Sequence, residues 1–260
     1  MCLIIFAYKS HPEYPFVLLA NRDEFYQRPT QPMKFWDDCP DILAGRDLEQ
    51  MGTWLGINQA GKFTAVTNYR DGRHPSLNKR SRGELTRDFL SNALTAEEHL
   101  DSLAQRKQDY GDFNLLLGDA SGLYYCSNRG GETEKLVPGI YGMSNALLNT
   151  PWPKLTQAKR VFTEAINSTT LSPEKLIPIM SDREQAADAA LPDTGISFEW
   201  EKLLSSGFIQ GENYGTRATT LLMQKDNGDT YITEQNYDAH GPTSYSEYQL
   251  TLHSIGSKAD

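Results

Sequence analysis

Cysteine stands at position 2, directly behind Met1, at the head of the apolar run Cys2-Leu3-Ile4-Ile5-Phe6-Ala7-Tyr8. Cysteine is small enough for methionine removal, which would make it the first residue. A first-residue cysteine carries nucleophile and base together: a thiol of reference pKa about 8.5 and an α-amine of about 7.7–8.0. With values so close, the amine can take the thiol proton as the thiolate attacks a carbonyl. Retention of Met1 would remove the free amine and block that route. The competing reading is a strand cysteine that follows the start codon by accident.

A second cluster with chemical potential, Asn21-Arg22-Asp23-Glu24, follows the apolar run Phe16-Val17-Leu18-Leu19-Ala20. Nearly continuous apolar runs suggest strands buried on both faces. Pro12 and Pro15 mark the loop between them. So short a connection makes the strands antiparallel and sets the 21–24 cluster, read as a turn, beside Cys2. An arginine there favours thiolate; an Asp or Glu holds the ammonium or the arginine.

Other elements must frame this pair. Residues 54–58 and 63–68 read as a hairpin around Gln59-Ala60-Gly61-Lys62. Ser81 with Glu84, and Thr95 with Glu98, fit capping boxes and predict two helices. Strands are expected at 113–118, 123–127 and 139–144. A helix from Pro153 to Asn167 follows, because Leu155, Ala158, Val161, Phe162, Ala165 and Ile166 keep helical spacing. Ser172-Pro173 predicts another helix start. Residues 182–215, rich in Gly, Pro, Asp and Ser, predict surface loops, and strands at 219–224, 230–234 and 248–253 close the chain. The order is strands, helices, strands, helices, strands. Sheets buried on both faces need layers above and below, so the expected packing is two sheets face to face with helices outside each.

The bulk numbers narrow the function. With 260 residues and 38% hydrophobic content, the chain can bury a core as one domain spanning 1–260. A net charge of -9 makes it a poor general binder of nucleic acid or anionic membrane. No apolar run approaches the roughly 20 residues of a membrane span, and the first run lacks the basic flank of a signal peptide. Cys2, Cys39 and Cys126 are too few and too odd for a disulfide framework, which points to a reducing, cytoplasmic setting. Five scattered histidines and no Cys-x-x-Cys argue against a protein-bound metal. Residues 56–62 have phosphate-loop spacing, but Phe63 stands where magnesium needs a hydroxyl. Cys39-Pro40 alone is a loop dipeptide rather than a haem ligand.

Taken together, Cys2, Asn21-Arg22-Asp23-Glu24, Gly45-Arg46-Asp47, Gly52-Thr53-Trp54-Leu55-Gly56, Thr67-Asn68-Tyr69-Arg70, Ser81-Arg82-Gly83, Phe113-Asn114, Gly142-Met143-Ser144-Asn145, Thr150-Pro151-Trp152-Pro153 and Tyr214-Gly215-Thr216-Arg217 resemble the NRDE family, also called the transport and Golgi organization protein 2 family. The match spans about the first 220 residues and continues weakly beyond. That family in turn resembles the cysteine branch of the N-terminal nucleophile hydrolases, which implies an α+β fold: a four-layer α-β-β-α sandwich. Carried over, the resemblance makes Cys2 the nucleophile and Arg22 its support. Asp23 or Glu24 would orient the amine, Asn68 and Asn145 would stabilise an oxyanion, and Arg217 would orient or polarise the centre. Two departures stand out. Arg22, Asp23 and Glu24 are adjacent where the branch separates its arginine and aspartate, and Leu3 replaces a small polar residue. The implied activity is hydrolysis of a C–N amide through a Cys2 thioester, with no cofactor. The family's links with haem and lipid handling imply an alternative, a non-enzymatic binder of haem or an acyl-type ligand in the same pocket. Both readings call for a small-molecule amide or carboxylate-bearing partner.

Overall fold

The computed structural model describes residues 2–74 and 78–257; Met1, whose removal the chemistry above requires, lies outside them. Two antiparallel sheets form. The first has the order β10-β1-β2-β11-β12-β13, built from β1 (Cys2–Tyr8), β2 (Phe16–Phe25), β10 (Gly139–Met143), β11 (Tyr214–Gln224), β12 (Asp229–Asp238) and β13 (Gly241–Thr251). The second runs β3-β4-β5-β6-β7-β8-β9: β3 (Thr30–Phe35), β4 (Ile42–Asp47), β5 (Leu55–Asn58), β6 (Phe63–Asn68), β7 (Phe113–Asp119), β8 (Gly122–Ser127) and β9 (Glu134–Lys135). The helices are α1 (Arg82–Ser91), α2 (Ala96–Ala104), α3 (Pro153–Ile166), the single turn α4 (Pro173–Leu176) and α5 (Phe198–Leu203).

Side-chain alternation divides the core. On β1, Ile4, Phe6 and Tyr8 point between the sheets and meet Phe16, Leu18, Phe63 and Leu116. Leu3, Ile5 and Ala7 point the other way, onto Leu155, Phe162 and Leu176 of α3 and α4. Beyond the second sheet, Val66, Leu115 and Leu117 pack on Leu85 and Phe89 of α1 and Leu100 of α2. The layers are therefore α-β-β-α, as expected, with β1 an interior strand. Three apolar layers explain why β1 and β2 carry no alternation: both their faces are covered.

Several local expectations need correction. Residues 21–24 are not a turn, because β2 runs through them to Phe25. The Thr95–Glu98 capping box forms. At α1 the Ser81 hydroxyl instead accepts from the Gly83 N–H, and Glu84 turns to Arg80 at 2.6 Å. The helix at Ser172-Pro173 is one turn long. Within 182–215, α5 is a helix capped by Ser197. Strands β3 and β4 were not foreseen.

Candidate active site

The β1–β2 register pairs Cys2 directly with Arg22 and Leu3 with Asn21. Opposed residues share a face, so Cys2 and Arg22 both look between the sheets. The same alternation sends Asn21 and Asp23 toward the helical layer. Asn21 is structural: its amide donates to the carbonyls of Met180 and Gly207, each at 2.8 Å, and its oxygen accepts from Thr219 Oγ1 at 2.6 Å.

Between the sheets, at the end of the ladder, lies a cleft of about 300 Å³ lined by Cys2, Arg22, Asp23, Glu24 and Asn68. Arg22 lies over the Trp54 ring at 4.2 Å. Gly45 of β4 makes room for that ring, since a Cβ there would meet Trp54 at 2.3 Å. Gly52 does the same for α1: its Cβ would fall 2.4 Å from the Gly83 backbone. This close approach brings Arg82, at the start of α1, to the cleft wall. Arg28 is held by Asp47 at 2.7 Å and Glu49 at 2.8 Å, with Glu24 at 4.0 Å. Among the described residues, neither Arg22 nor Arg82 has a carboxylate within ion-pair distance. Arg82 Nη1 reaches only the Asp112 carbonyl, at 3.4 Å.

Burial pushes the Cys2 thiol up, and the Asp23 charge adds to this; Arg22 and the Asp23 backbone N–H, directed at the sulfur, pull it back. Asp23 is itself buried, which raises its carboxyl against the pull of Lys154 and of Thr216, whose Oγ1 donates to Oδ1 at 2.7 Å. Glu24 lies on the Cys2 face beside Arg28, whereas Asp23 sits in the dry layer next to the strand start.

Asn68 and Asn145 occupy different positions. The Asn68 side chain lines the cleft, and no hydrogen bond to a described residue uses its amide. Asn145 is fully buried, and its Nδ2 donates to the Asn68 carbonyl at 2.9 Å. Ser144 Oγ donates to the Cys2 carbonyl at 3.0 Å, and Thr67 Oγ1 to the Ser144 carbonyl at 2.6 Å. The 67–70 and 144–146 segments thus lock onto each other and onto Cys2, with Asn145 holding the Asn68 backbone.

Arg217 does not line the cleft. It is the extra residue of a bulge in β11, where the pairing with β2 steps from Thr216↔Asp23 to Ala218↔Arg22. Its guanidinium binds the carbonyls of Phe25 (2.8 Å), Arg28 (3.2 Å) and Tyr237 (3.2 Å) and the Thr30 hydroxyl (3.2 Å). It fastens the β2–β3 connection that carries Arg28.

Two neighbours escaped the sequence reading. Arg70 forms a buried pair with Glu201 at 2.8 Å and stacks on Trp152 at 4.5 Å. Lys154, in the first turn of α3, is 6% exposed. The Thr150-Pro151-Trp152-Pro153 motif pointed at this place, but a lysine at a helix start reads as solvated. All three cysteines are free. Among the described residues, no three His, Cys, Asp or Glu side chains are grouped to hold a metal ion, and no helix is long and apolar enough to cross a membrane.

A family model described as Transport and Golgi organisation 2 matches residues 1–239. The chain is 34% identical to the mouse transport and Golgi organization 2 homolog over 278 aligned residues, covering 98% of this chain and 100% of that one. The human homolog is 35% identical over 260, covering 91% and 93%. Among solved structures, the chain is similar to a Caenorhabditis elegans N-acylethanolamine-hydrolyzing acid amidase ortholog, with TM-score 0.48, 11% identity, and 69% and 86% coverage. A mutant conjugated bile acid hydrolase from Clostridium perfringens gives TM-score 0.43 at 9% identity, covering 98% and 99%.

Proposed function

The chain belongs to the transport and Golgi organisation 2 family, and from that premise we propose that it is a cysteine amidohydrolase acting through Cys2 once Met1 has been removed. The observation that carries this reading is the cross-strand pairing of Cys2 with Arg22 at the mouth of a cleft that also presents the Asn68 amide. The Cys2 α-amine takes the thiol proton and the sulfur attacks the amide carbonyl. Asn68 donates to the oxyanion, a contribution worth about 2.7–4 kcal/mol for one such donor. Collapse breaks the C–N bond, and the departing amine takes the proton from the α-ammonium. Water, deprotonated by the same amine, then hydrolyses the thioester, and the thiolate regains its proton. Asp23 holds the α-ammonium, Asn145 fixes Asn68, and Arg217 holds the cleft wall through Arg28. No cofactor is required, and the setting is cytoplasmic. Arg22 and Arg82, both without a carboxylate partner among the described residues, favour a substrate with an anionic group near the scissile bond.

The binder reading seats haem or an acyl-type lipid in the same cleft. Its lining is mostly charged and polar, with Trp54 and Val66 as the large apolar members, which favours the hydrolase. Intact mass decides first: loss of Met1, and an acyl adduct on Cys2 when a panel of N-acyl amino acids is added, support the enzyme. Cys2→Ala should abolish turnover and adduct; unchanged turnover in that variant sinks the proposal.

A further inference from the structure

Among the described residues, Lys154 is the least explained charge. Its Nζ is buried, and among the described residues it has neither a hydrogen-bond partner nor a carboxylate within ion-pair distance. Its place in α3 adds to the cost. A cation in the first turn opposes the positive end of the helix dipole, and the Trp152 N-cap supplies no side-chain bond to offset it. An ammonium in such a place needs an anion supplied by its surroundings. The charged and titratable groups that act on it are Asp23 of β2, Arg70 of the segment after β6, and Cys2 of β1; Arg22 of β2 and Tyr214 of β11 act on or feel Asp23 in turn. Among the described residues, the negative groups acting on it are Asp23 and, when ionised, Cys2; Arg70 is already matched by Glu201.

We infer that Lys154 is a positioning residue that sets the protonation of Cys2 through Asp23: its buried ammonium offsets the Asp23 carboxylate, which otherwise opposes ionisation of the thiol. The influence runs both ways. Burial brings Lys154 down to about 8, with Asp23 resisting and Arg70 assisting. A positive charge at this point favours the thiolate. After methionine removal it also disfavours protonation of the Cys2 α-amine, as one ammonium does for another. Both effects make the nucleophile available at lower pH.

The inference rests on Cys2 being the nucleophile, but its test needs no substrate. Iodoacetamide alkylation of Cys2, followed by peptide mass across pH 6–10, reads the thiolate directly. Cys39 and Cys126 serve as internal references. Lys154→Met should move the Cys2 curve alkaline by about one pH unit, an alkylation rate about tenfold lower at neutral pH. Lys154→Arg, which keeps the charge, should stay near wild type, and Asp23→Asn should move the curve the other way. Thermal melts accompany each variant, and Lys154→Gln replaces Lys154→Met if the latter does not fold. Coincident wild-type and Lys154→Met curves overturn the inference, as does an arginine variant that behaves like the methionine one. Alkaline shifts in both Lys154→Met and Asp23→Asn would mean lost packing and overturn it too. Failure of the hydrolase reading shows elsewhere, as unchanged turnover in Cys2→Ala.

Discussion

Two buried charge sites flank the cleft and are built in opposite ways. Arg70 and Glu201 touch at 2.8 Å, and Glu201 also accepts from the Thr194 N–H (2.8 Å) and hydroxyl (2.5 Å). Asp23 and Lys154 share one neighbourhood without an ion-pair contact. A pair in direct contact, with one carboxylate oxygen also hydrogen-bonded, resists rearrangement; a pair held apart keeps its protons negotiable. The first is a clamp on the segment that bears Asn68, and the second is the one that the proposed chemistry uses.

The largest expected effect breaks the clamp. Arg70→Met leaves Glu201 buried without its cation and should cost about 3–5 kcal/mol of stability by urea denaturation. Conservation of the midpoint would show that the pair is not the clamp. Asn68→Ala tests what the clamp holds: kcat should fall about 10²–10³ with stability nearly unchanged. A fall in stability as large as that of Arg70→Met would make Asn68 part of the scaffold instead.

The negotiable pair predicts a pH signature. Lys154 titrates at about 8 in the folded protein against 10.5 for the free side chain. Between those values the unfolded chain binds a proton that the folded chain does not, so stability rises with pH across the window. Wild type minus Lys154→Met should therefore gain up to about 3 kcal/mol from pH 7.5 to 10.5 in denaturant melts. A flat difference would remove the burial cost from the account. Smallest is Thr216→Val, which takes one hydroxyl from Asp23 and should cost about 1.5–3 kcal/mol at neutral pH. Because that hydrogen bond holds the Asp23 carboxyl down, the cost should shrink in acid as the carboxyl takes up its proton.

These sites also mark how far the sequence could be read. The runs 2–8 and 16–20 announced two buried strands because composition and environment agreed. Residues 21–24 looked like a turn because three charges rarely sit in a strand, yet a strand is what they form. Local composition gave way there to the cleft, to the Thr216 hydroxyl and to the nearby charge of Lys154, none of which spacing reveals. Strands β3 and β4 were missed for a milder reason. Thr30, Gln31, Pro32 and Lys34 are mixed in polarity, as suits an edge strand, and Gly45-Arg46-Asp47 ends β4 in turn-like residues. That Asn68 would stand near Cys2 was legible. The different placement of Asn145 was not, since it depends on which amide faces the cleft.

The bulge at Arg217 works as a change of phase. Beyond it, Thr219, Leu221 and Met223 face the helical layer, all odd positions; before it, Thr216 faces that layer from an even one. The extra residue switches the parity of β11 at the level of the site. A chain shortened by this one residue would restore an unbroken ladder and keep its hydrophobic count. Thr216 would stay opposite Asp23 on the helical face, so what the extra residue adds is the guanidinium that binds the Phe25 and Arg28 carbonyls, and the set of the cleft wall depends on a count of residues as well as on their kinds.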